Sequence, residues 1–231
     1  MPFQNLASLL ASVGVGYLLG SVPFAILVER WKNVDLRGVG SGNIGASNAF
    51  IAAGKFAGAF VLLGDASKGI TAVLAVGAAT GGSHIAMAGA GVGAVVGHDW
   101  SLYLRLKGGK GTATTVGVVL ALDWRILALA VVTYFLFLFA TRLIVISSLI
   151  TVAAIPVFMM FRPWFAPGAV AEPLPFVYGA IILAALGYLR HWDHVERFVQ
   201  GREPKAGDMF REMRAAKDGG LAEVPSRAGE G

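Results

Sequence analysis

The sequence predicts an all-α integral membrane protein: a bundle of about seven transmembrane helices, N-terminus outside, motif loops and C-terminus cytoplasmic. Three observations carry that expectation. The 231 residues are 56% hydrophobic and only 14% charged, whereas a soluble domain carries about a quarter charged residues. Apolar stretches of bilayer length recur, and backbone polar groups in lipid must be satisfied within the spanning segment, so helices are the expected form. No alternation of the kind a transmembrane β-barrel requires is visible. The cations, finally, are unevenly distributed between the connecting segments.

The first span runs from Leu6 to Val28, with Pro23 near its end. Met1 to Ser8 lacks the basic region of a signal peptide, so the stretch is kept as a span. Glu29, Arg30, Lys32, Asp35 and Arg37 form a charged loop leading into a polar, glycine-rich island, Gly38 to Asn48. A long apolar segment follows, Ala49 to Thr80, broken by Lys55, Asp65 and Lys68. Ile85 to Val96 returns across the membrane and ends at a second island, Gly97 to Thr114. Thr112 to Leu122 and Ile126 to Ala140 read as two short spans hinged at Asp123-Trp124-Arg125. Leu143 to Phe161 and Leu174 to Leu189 complete the count, and a third island runs from Arg190 to Lys205. Residues 1–200 thus form a single transmembrane domain, and 201–231 a polar cytoplasmic tail expected to be disordered beyond Lys205.

With the N-terminus outside, the inner segments are 29–48, 97–111, 141–142 and 190–231, and they hold fifteen of the nineteen Lys and Arg residues. The outer segments hold Arg125 and Arg162, and Lys55 and Lys68 lie within a span. The positive-inside rule favours this orientation, and it puts all three islands on the cytoplasmic side. A net charge of +5 fits contact with anionic headgroups or anionic substrates. Nucleic acid is not expected without a basic soluble domain. The absence of cysteine excludes disulfides and Cys-based metal sites.

The second island carries the most chemistry. Lys107-Gly-Gly-Lys-Gly111 is no Walker A loop, because Lys110 is followed by Gly111 and not by Ser or Thr. Gly108, Gly109 and Gly111 would let successive N–H groups point into one concavity, flanked by Lys107 and Lys110, with a helix start at Thr112 and His98 just upstream. Nests and helix starts both attract anions, so a phosphate is the expected ligand. The competing account is a snorkelling basic patch on anionic lipid.

In the first island, Gly40-Ser41-Gly42-Asn43-Ile44-Gly45 matches the dinucleotide string but lacks the preceding strand, so the cofactor reading is rejected. What remains is a glycine turn able to present N–H groups, Ser41 and Asn43 to a phosphate, with Ser47 and Asn48 suited to a helix start. An ordinary capped interfacial loop fits equally well. Asp65 and Lys68 are read as a self-neutralising pair one turn apart within a span. His191, Asp193 and His194 close the last span; interfacial histidines on a phosphate are favoured over a metal site, since no carboxylate cluster or cysteine lies nearby. No Ser-His-Asp spacing stands out, although Ser41 could meet His98 or His191 through space.

Taken in order, these pieces resemble the acyl-phosphate:glycerol-3-phosphate acyltransferase family of bacterial membranes. The likeness spans residues 13 to 205: Tyr17 to Phe24, Gly40 to Asn48, Asp65 to Gly69, Gly97-His98, Lys107 to Thr114, Arg190-His191 and Gly201 to Lys205. The resemblance implies a seven-helix bundle in the bacterial inner membrane that transfers a fatty acyl group from acyl phosphate to the 1-hydroxyl of glycerol 3-phosphate, giving lysophosphatidic acid. It implies no cofactor, no metal and no acyl-enzyme, and a monomer among membrane lipids. Carried over by motif, Ser41, Lys110 and His191 are the catalytic residues. Gly40, Gly42, Asn43, Gly45, Asn48, His98, Lys107, Gly108, Gly109, Gly111, Thr112 and His194 are the substrate-binding ones.

The departures from the family pattern are Ile51 in place of an arginine, Val145 in place of a serine, His194 in place of an asparagine and Ser101 in place of a proline. The first three fall at positions the resemblance associates with the acceptor. Isoleucine cannot imitate a bidentate guanidinium. The expectation is that the acyl-phosphate end is retained while acceptor recognition is altered or weakened. A divergent enzyme with another acceptor and a catalytically silent lipid-binding scaffold are the alternatives. A small transporter is disfavoured, because the polar islands lie at one face and transport sites lie near the midplane.

Overall fold

The computed structural model describes residues 2–165 and 174–208. The described residues form ten α-helices: α1 (Pro2–Gly20), α2 (Phe24–Lys32), α3 (Ala46–Ala53), α4 (Lys55–Ala79), α5 (His84–Asp99), α6 (Thr112–Leu122), α7 (Trp124–Thr141), α8 (Ile144–Phe165), α9 (Leu174–Arg190) and α10 (Trp192–Val199). Short 3₁₀ turns lie at Leu36–Gly38 and Leu102–Leu104. Among the described residues there is no strand. Of the described helical segments, four are long and apolar enough to cross a bilayer, Leu6–Lys32, Lys55–Ala79, Trp124–Thr141 and Ile144–Trp164, and α9 with α10, bent by 66°, makes a fifth if the pair is counted as one. Helices α5 and α6, at 16 and 11 residues, fall short of that length.

The packing inverts the pattern of a soluble core. Large apolar side chains point outward, as with Phe56, Phe139 and Trp164, which are 78%, 78% and 85% exposed, and that is the face lipid covers. The interior is built from small residues. Most of α5 is buried, much of it as Gly and Ala, and this helix packs against α1, α4, α6 and α9. Its contact with α1 is reciprocal. A Cβ at Gly16 or Gly20 would overlap the Ala90 or Ala94 carbonyl, and one at Gly93 or Gly97 would overlap the Val13 or Tyr17 carbonyl. Small residues four apart on both helices let two backbones touch, the usual device of helix association in lipid. Gly69 and Gly117 do the same between α4 and α6, against Thr114 and Ala66.

Two expected spans are broken. Helix α1 stops at Gly20, because Pro23 cannot donate an amide, and α2 resumes at Phe24 and runs through Glu29, Arg30 and Lys32, so these charges sit on a helix and not in a loop. The carbonyls freed at the break are used: Ser21 O accepts from Ser101 Oγ at 2.6 Å, and Val22 O accepts from Lys68 Nζ at 3.1 Å. The apolar run 49–80 is also two helices. Gly54, at φ +86°, separates α3 from α4 in a conformation other residues rarely adopt. Helix α3 begins at Ala46 after Gly45, with no side-chain cap from Ser47 or Asn48. The hinge at residues 123–125 is present, Asp123 capping α7 through Arg125 N at 2.9 Å.

The two ends of the bundle differ. At one end Asp123 pairs with Arg162, which lies inside α8 and not in a loop, flanked by Trp124 and Trp164. At the other end lie Trp31, Trp100 and Trp192 with all three polar islands. Tryptophans gathered at both ends match the two interfacial belts of a membrane protein. The segment after α10 is also fixed. Glu203 is held by Arg197 Nε at 3.2 Å and His194 Nδ1 at 2.8 Å, and Ala206 N donates to Arg142 O at 2.7 Å. The described residues run to 208; the rest of the tail, expected to be disordered beyond Lys205, lies outside them.

The seam between α1 and α5 yields a paired test. Replacing Gly93 by valine drives a side chain into the α1 backbone and should cost about 3 kcal/mol or more. The same change at Gly14, which has nothing within 4 Å of an added Cβ, should be tolerated. Melting temperatures of the two detergent-solubilised variants, compared with the parent, check this; equal losses would mean that the seam does not hold the bundle.

Candidate functional site

The second island hangs from the end of α5. A helix leaves its last carbonyls without intrahelical partners, and here they meet the glycine loop: Gly108 N donates to Asp99 O at 3.2 Å and Gly109 N to His98 O at 3.0 Å. Glycine is needed at both positions for space. A Cβ on Gly108 would overlap the His98 carbonyl, and one on Gly109 would overlap His98 Nε2 and lie 3.0 Å from Ile44 O. Neither glycine has a positive φ; Gly111 does, at +69°, and forms the N-cap of α6. This corrects the expected anion nest. The Gly108 and Gly109 amides are committed to α5, which leaves Lys110 and the first turn of α6, from Thr112, as the donors of this loop.

Behind the loop, His98 is buried, its Nδ1 3.5 Å from Asp65 Oδ1, while Lys68 Nζ sits 2.9 Å from the same oxygen. The expected Asp65–Lys68 pair is present and is joined by a third group. A small cleft is lined by this trio with Ser21, Ser101 and Gly109. Asp99 is buried beneath Gly111, and neither of its carboxylate oxygens has a hydrogen-bond partner among the described residues.

The first island reaches the loop through Arg37, whose Nη2 donates to Lys107 O at 2.8 Å. Asn48 is 2% exposed and ties the island's own turns together. Its Nδ2 donates to Leu36 O and Val39 O, and its Oδ1 accepts from Ser41 N and Ser41 Oγ. Gly40 and Gly42 are left-handed, at φ +54° and +69°; Ser41 and Gly42 are exposed, and Asn43 and Gly45 are half-buried. Ile51 packs beneath Gly40, its Cδ1 2.9 Å from where a Cβ would stand. Among the described residues, no hydrogen bond links Ser41 or Asn43 to Lys110, His98 or His191.

The third island closes on the opposite flank. Arg190 donates to Gly109 O from Nε at 3.1 Å and from Nη2 at 2.6 Å, and its guanidinium lies 5.2 Å from the Trp100 ring. Lys110 Nζ lies 3.4 Å from Asp193 Oδ1. Burial draws the Lys110 pKa down, and the Asp193 carboxylate partly restores it. The rings of His191 and His194 are 5.8 Å apart. Burial pushes His191 down to about 4, so near neutral pH it carries no charge. Its Nδ1 lies 2.8 Å from the Gly187 carbonyl, which can only accept, so the proton sits on Nδ1 and Nε2 keeps a lone pair.

Lys107, Gly108, Gly109, Lys110, Gly111, Thr112, His98, His191 and His194 are thus brought to one end of the bundle. The Ser41 turn stands beside them through Arg37 and Ile44. Arg37, Arg190, Asp193 and Glu203 join them, and the sequence reading had given none of the four a role in the site. Arg190 carried one usable signal, a cation at the last turn of an apolar helix beside a histidine.

Comparison with known proteins identifies the family. The family model described as glycerol-3-phosphate acyltransferase matches residues 10–201. A glycerol-3-phosphate acyltransferase from Caulobacter vibrioides is 40% identical over 199 residues, covering 86% of this chain and 87% of the relative. One from Synechococcus sp. is 38% identical over 206 residues, covering 89% and 96%. The crystal structure of PlsY, an integral membrane glycerol 3-phosphate acyltransferase, in its glycerol 3-phosphate form matches at a TM-score of 0.74 and 32% identity, covering 86% of this chain and 95% of that one. Its lysophosphatidic acid form matches at 0.75 and 29% identity, covering 88% and 99%. With a family model spanning most of the chain and relatives this similar over nearly their whole length, the protein belongs to the glycerol-3-phosphate acyltransferase family.

Proposed function

We propose that the protein transfers a fatty acyl group from acyl phosphate to the 1-hydroxyl of glycerol 3-phosphate, releasing lysophosphatidic acid for phospholipid synthesis. The observation that carries this reading is the meeting of three anion-suited segments at one end of an apolar bundle, joined by Arg37 on Lys107 O, Arg190 on Gly109 O and Lys110 beside Asp193. The acceptor and product forms of PlsY supply the chemistry of a relative.

The site lies on the cytoplasmic face of the bacterial inner membrane in this reading. Segments 29–48, 97–111, 141–142 and 190–208 all gather at the island end, and they carry most of the cations. Seven crossings result if α1 and α2 count as one and α5 and α6 cross a locally thin, protein-lined part of the bundle. Helices α3 and α10 then lie at the interface, and the protein works as a monomer among membrane lipids.

In the reaction, the acceptor oxygen attacks the acyl carbonyl carbon and the bond from that carbon to the phosphate oxygen breaks. Inorganic phosphate leaves with the electron pair and takes the hydroxyl proton. An acyl phosphate is already activated, so positioning and charge stabilisation can supply most of the rate, with no cofactor, metal or acyl-enzyme required. Lys110 and the first turn of α6 hold the donor's phosphate, with Lys107 adding positive charge at the rim. Ser41, Asn43 and the exposed glycine turn face the same opening, and neutral His191 offers its Nε2 lone pair to a protonated oxygen. Asn48 and His98 act from behind, shaping the first island and the loop. The acceptor end is weakened at Ile51, which presents only methyl groups beneath Gly40.

Turnover of purified protein with acyl phosphate and glycerol 3-phosphate tests the reading directly. Lysophosphatidic acid and phosphate should appear in equal amounts, and Lys110→Ala should lower kcat/KM by about a hundredfold. Ile51→Arg should lower the KM for glycerol 3-phosphate about tenfold, the worth of one charge-assisted contact. No product with any polyol phosphate would leave only the silent scaffold, and an unchanged KM in Ile51→Arg would remove the weakened-acceptor account.

His191 also sets a pH dependence. The unfolded chain protonates this residue near its ordinary value of about 6.5, well before the native state does. Stability from the neutral native form is therefore complete above about pH 6.5 and is lost progressively as pH falls toward 4. The melting temperature of His191→Gln should fall less than that of the parent between about pH 7.5 and pH 5; equal falls would show that another group governs this window.

A further inference from the structure

Carbonyl groups are a liability in a loop that must receive an anion, because each carries partial negative charge. Two carbonyls of the glycine loop are each capped by an arginine, and each arginine comes from a different island. Arg190, at the end of α9, places two N–H groups on Gly109 O, with the Trp100 ring beneath its guanidinium. Arg37, from the 3₁₀ turn before the first glycine turn, places one on Lys107 O. The amides between them are already fixed on the end of α5 through Gly108 and Gly109. The loop is therefore held on both edges, and what remains free to face a ligand is Lys110 and the start of α6.

We infer that Arg190 and Arg37 are positioning residues, a two-point carbonyl clamp that ties the three islands together and fixes the Lys107–Gly111 loop in its phosphate-receiving shape. The inference rests on the reading that this loop holds the donor's phosphate, and it assigns neither arginine to the substrate. Arg190 is the stronger arm. A planar guanidinium can put two donors on one oxygen while stacked on an aromatic ring, and lysine can do neither. Arg37 is exposed and makes a single bond to the loop, so its loss should matter less.

The test uses the full-length protein in lipid nanodiscs and compares Arg190→Lys, Arg190→Gln, Arg37→Lys and Arg37→Gln with the parent. Three quantities are read: KM and kcat with acyl phosphate and glycerol 3-phosphate, amide hydrogen exchange of the loop peptide, and melting temperature. Arg190→Lys should raise the KM for acyl phosphate about tenfold and Arg190→Gln more, with kcat changed less than KM. Exchange at Gly108 and Gly109 should accelerate in both while the α1–α5 seam keeps its protection. The Arg37 variants should show the same pattern, smaller by about threefold or more. A KM for Arg190→Lys within twofold of the parent, with unchanged loop exchange, overturns the clamp. So does a loss of activity that merely follows loss of protection throughout the bundle. A parent protein without acyltransferase activity would remove the functional reading alone, since loop exchange in the arginine variants still decides whether the clamp exists.

Discussion

The C-terminal end of α5 is the fixed point of this molecule. A helix of small residues is pressed backbone to backbone against α1 through Gly16, Gly20, Gly93 and Gly97, and its unpaired terminal carbonyls become the mount for the glycine loop. Tyr17 Oη reaches Trp100 O at 2.9 Å, and Ser101 Oγ reaches the broken backbone of the first span at Ser21 O. The break at Pro23, the buried Asp65–Lys68–His98 trio and the loop are thus one connected polar structure. In lipid such a structure persists only if its donors and acceptors find partners within the protein, and most of them do.

That connection sets the two ends of the bundle apart. The opposite end carries the buried pair of Asp123 with Arg162, which fastens α7 to α8. The island end instead offers half-buried Lys110, an open helix start and a neutral histidine. In the proposed reaction an activated donor asks little more of a protein than orientation and a place for negative charge, and a loop mounted on the end of α5 above an apolar bundle would supply both. The fatty tail then needs no dedicated tunnel in this account, because the lateral surface of the bundle is already lipid.

Much of this was legible in the sequence. Charges inside an apolar run must be paired, so Asp65 and Lys68 could be assigned to each other from spacing; His98, 30 residues further on, could not, because nothing local encodes that meeting. Hydropathy located the spans but not their breaks, which depend on a proline at 23 and a left-handed glycine at 54. The string Lys107 to Gly111 suggests an anion loop by its glycines and lysines, but two of those glycines have a different reason in the structure. Gly108 and Gly109 are small because α5 and His98 stand against them, and close approach leaves the same mark on a sequence as conformational freedom. The charge of His191 followed from burial, which no motif reveals. The sequence left Glu203 without a role because its partners, His194 and Arg197, become neighbours only when the chain turns at Gly201.

The central claim is that a phosphate sits where Lys110 and the start of α6 face the other two islands. A structure of the full-length protein in lipid with a non-hydrolysable acyl phosphonate tests it most directly. The account predicts phosphonate oxygens within roughly 3 Å of Lys110 Nζ and of the first-turn amides of α6, with the acyl chain running out along the bundle. A headgroup bound at the Asp123–Arg162 end, or one on the island end that touches neither Lys110 nor α6, would contradict it.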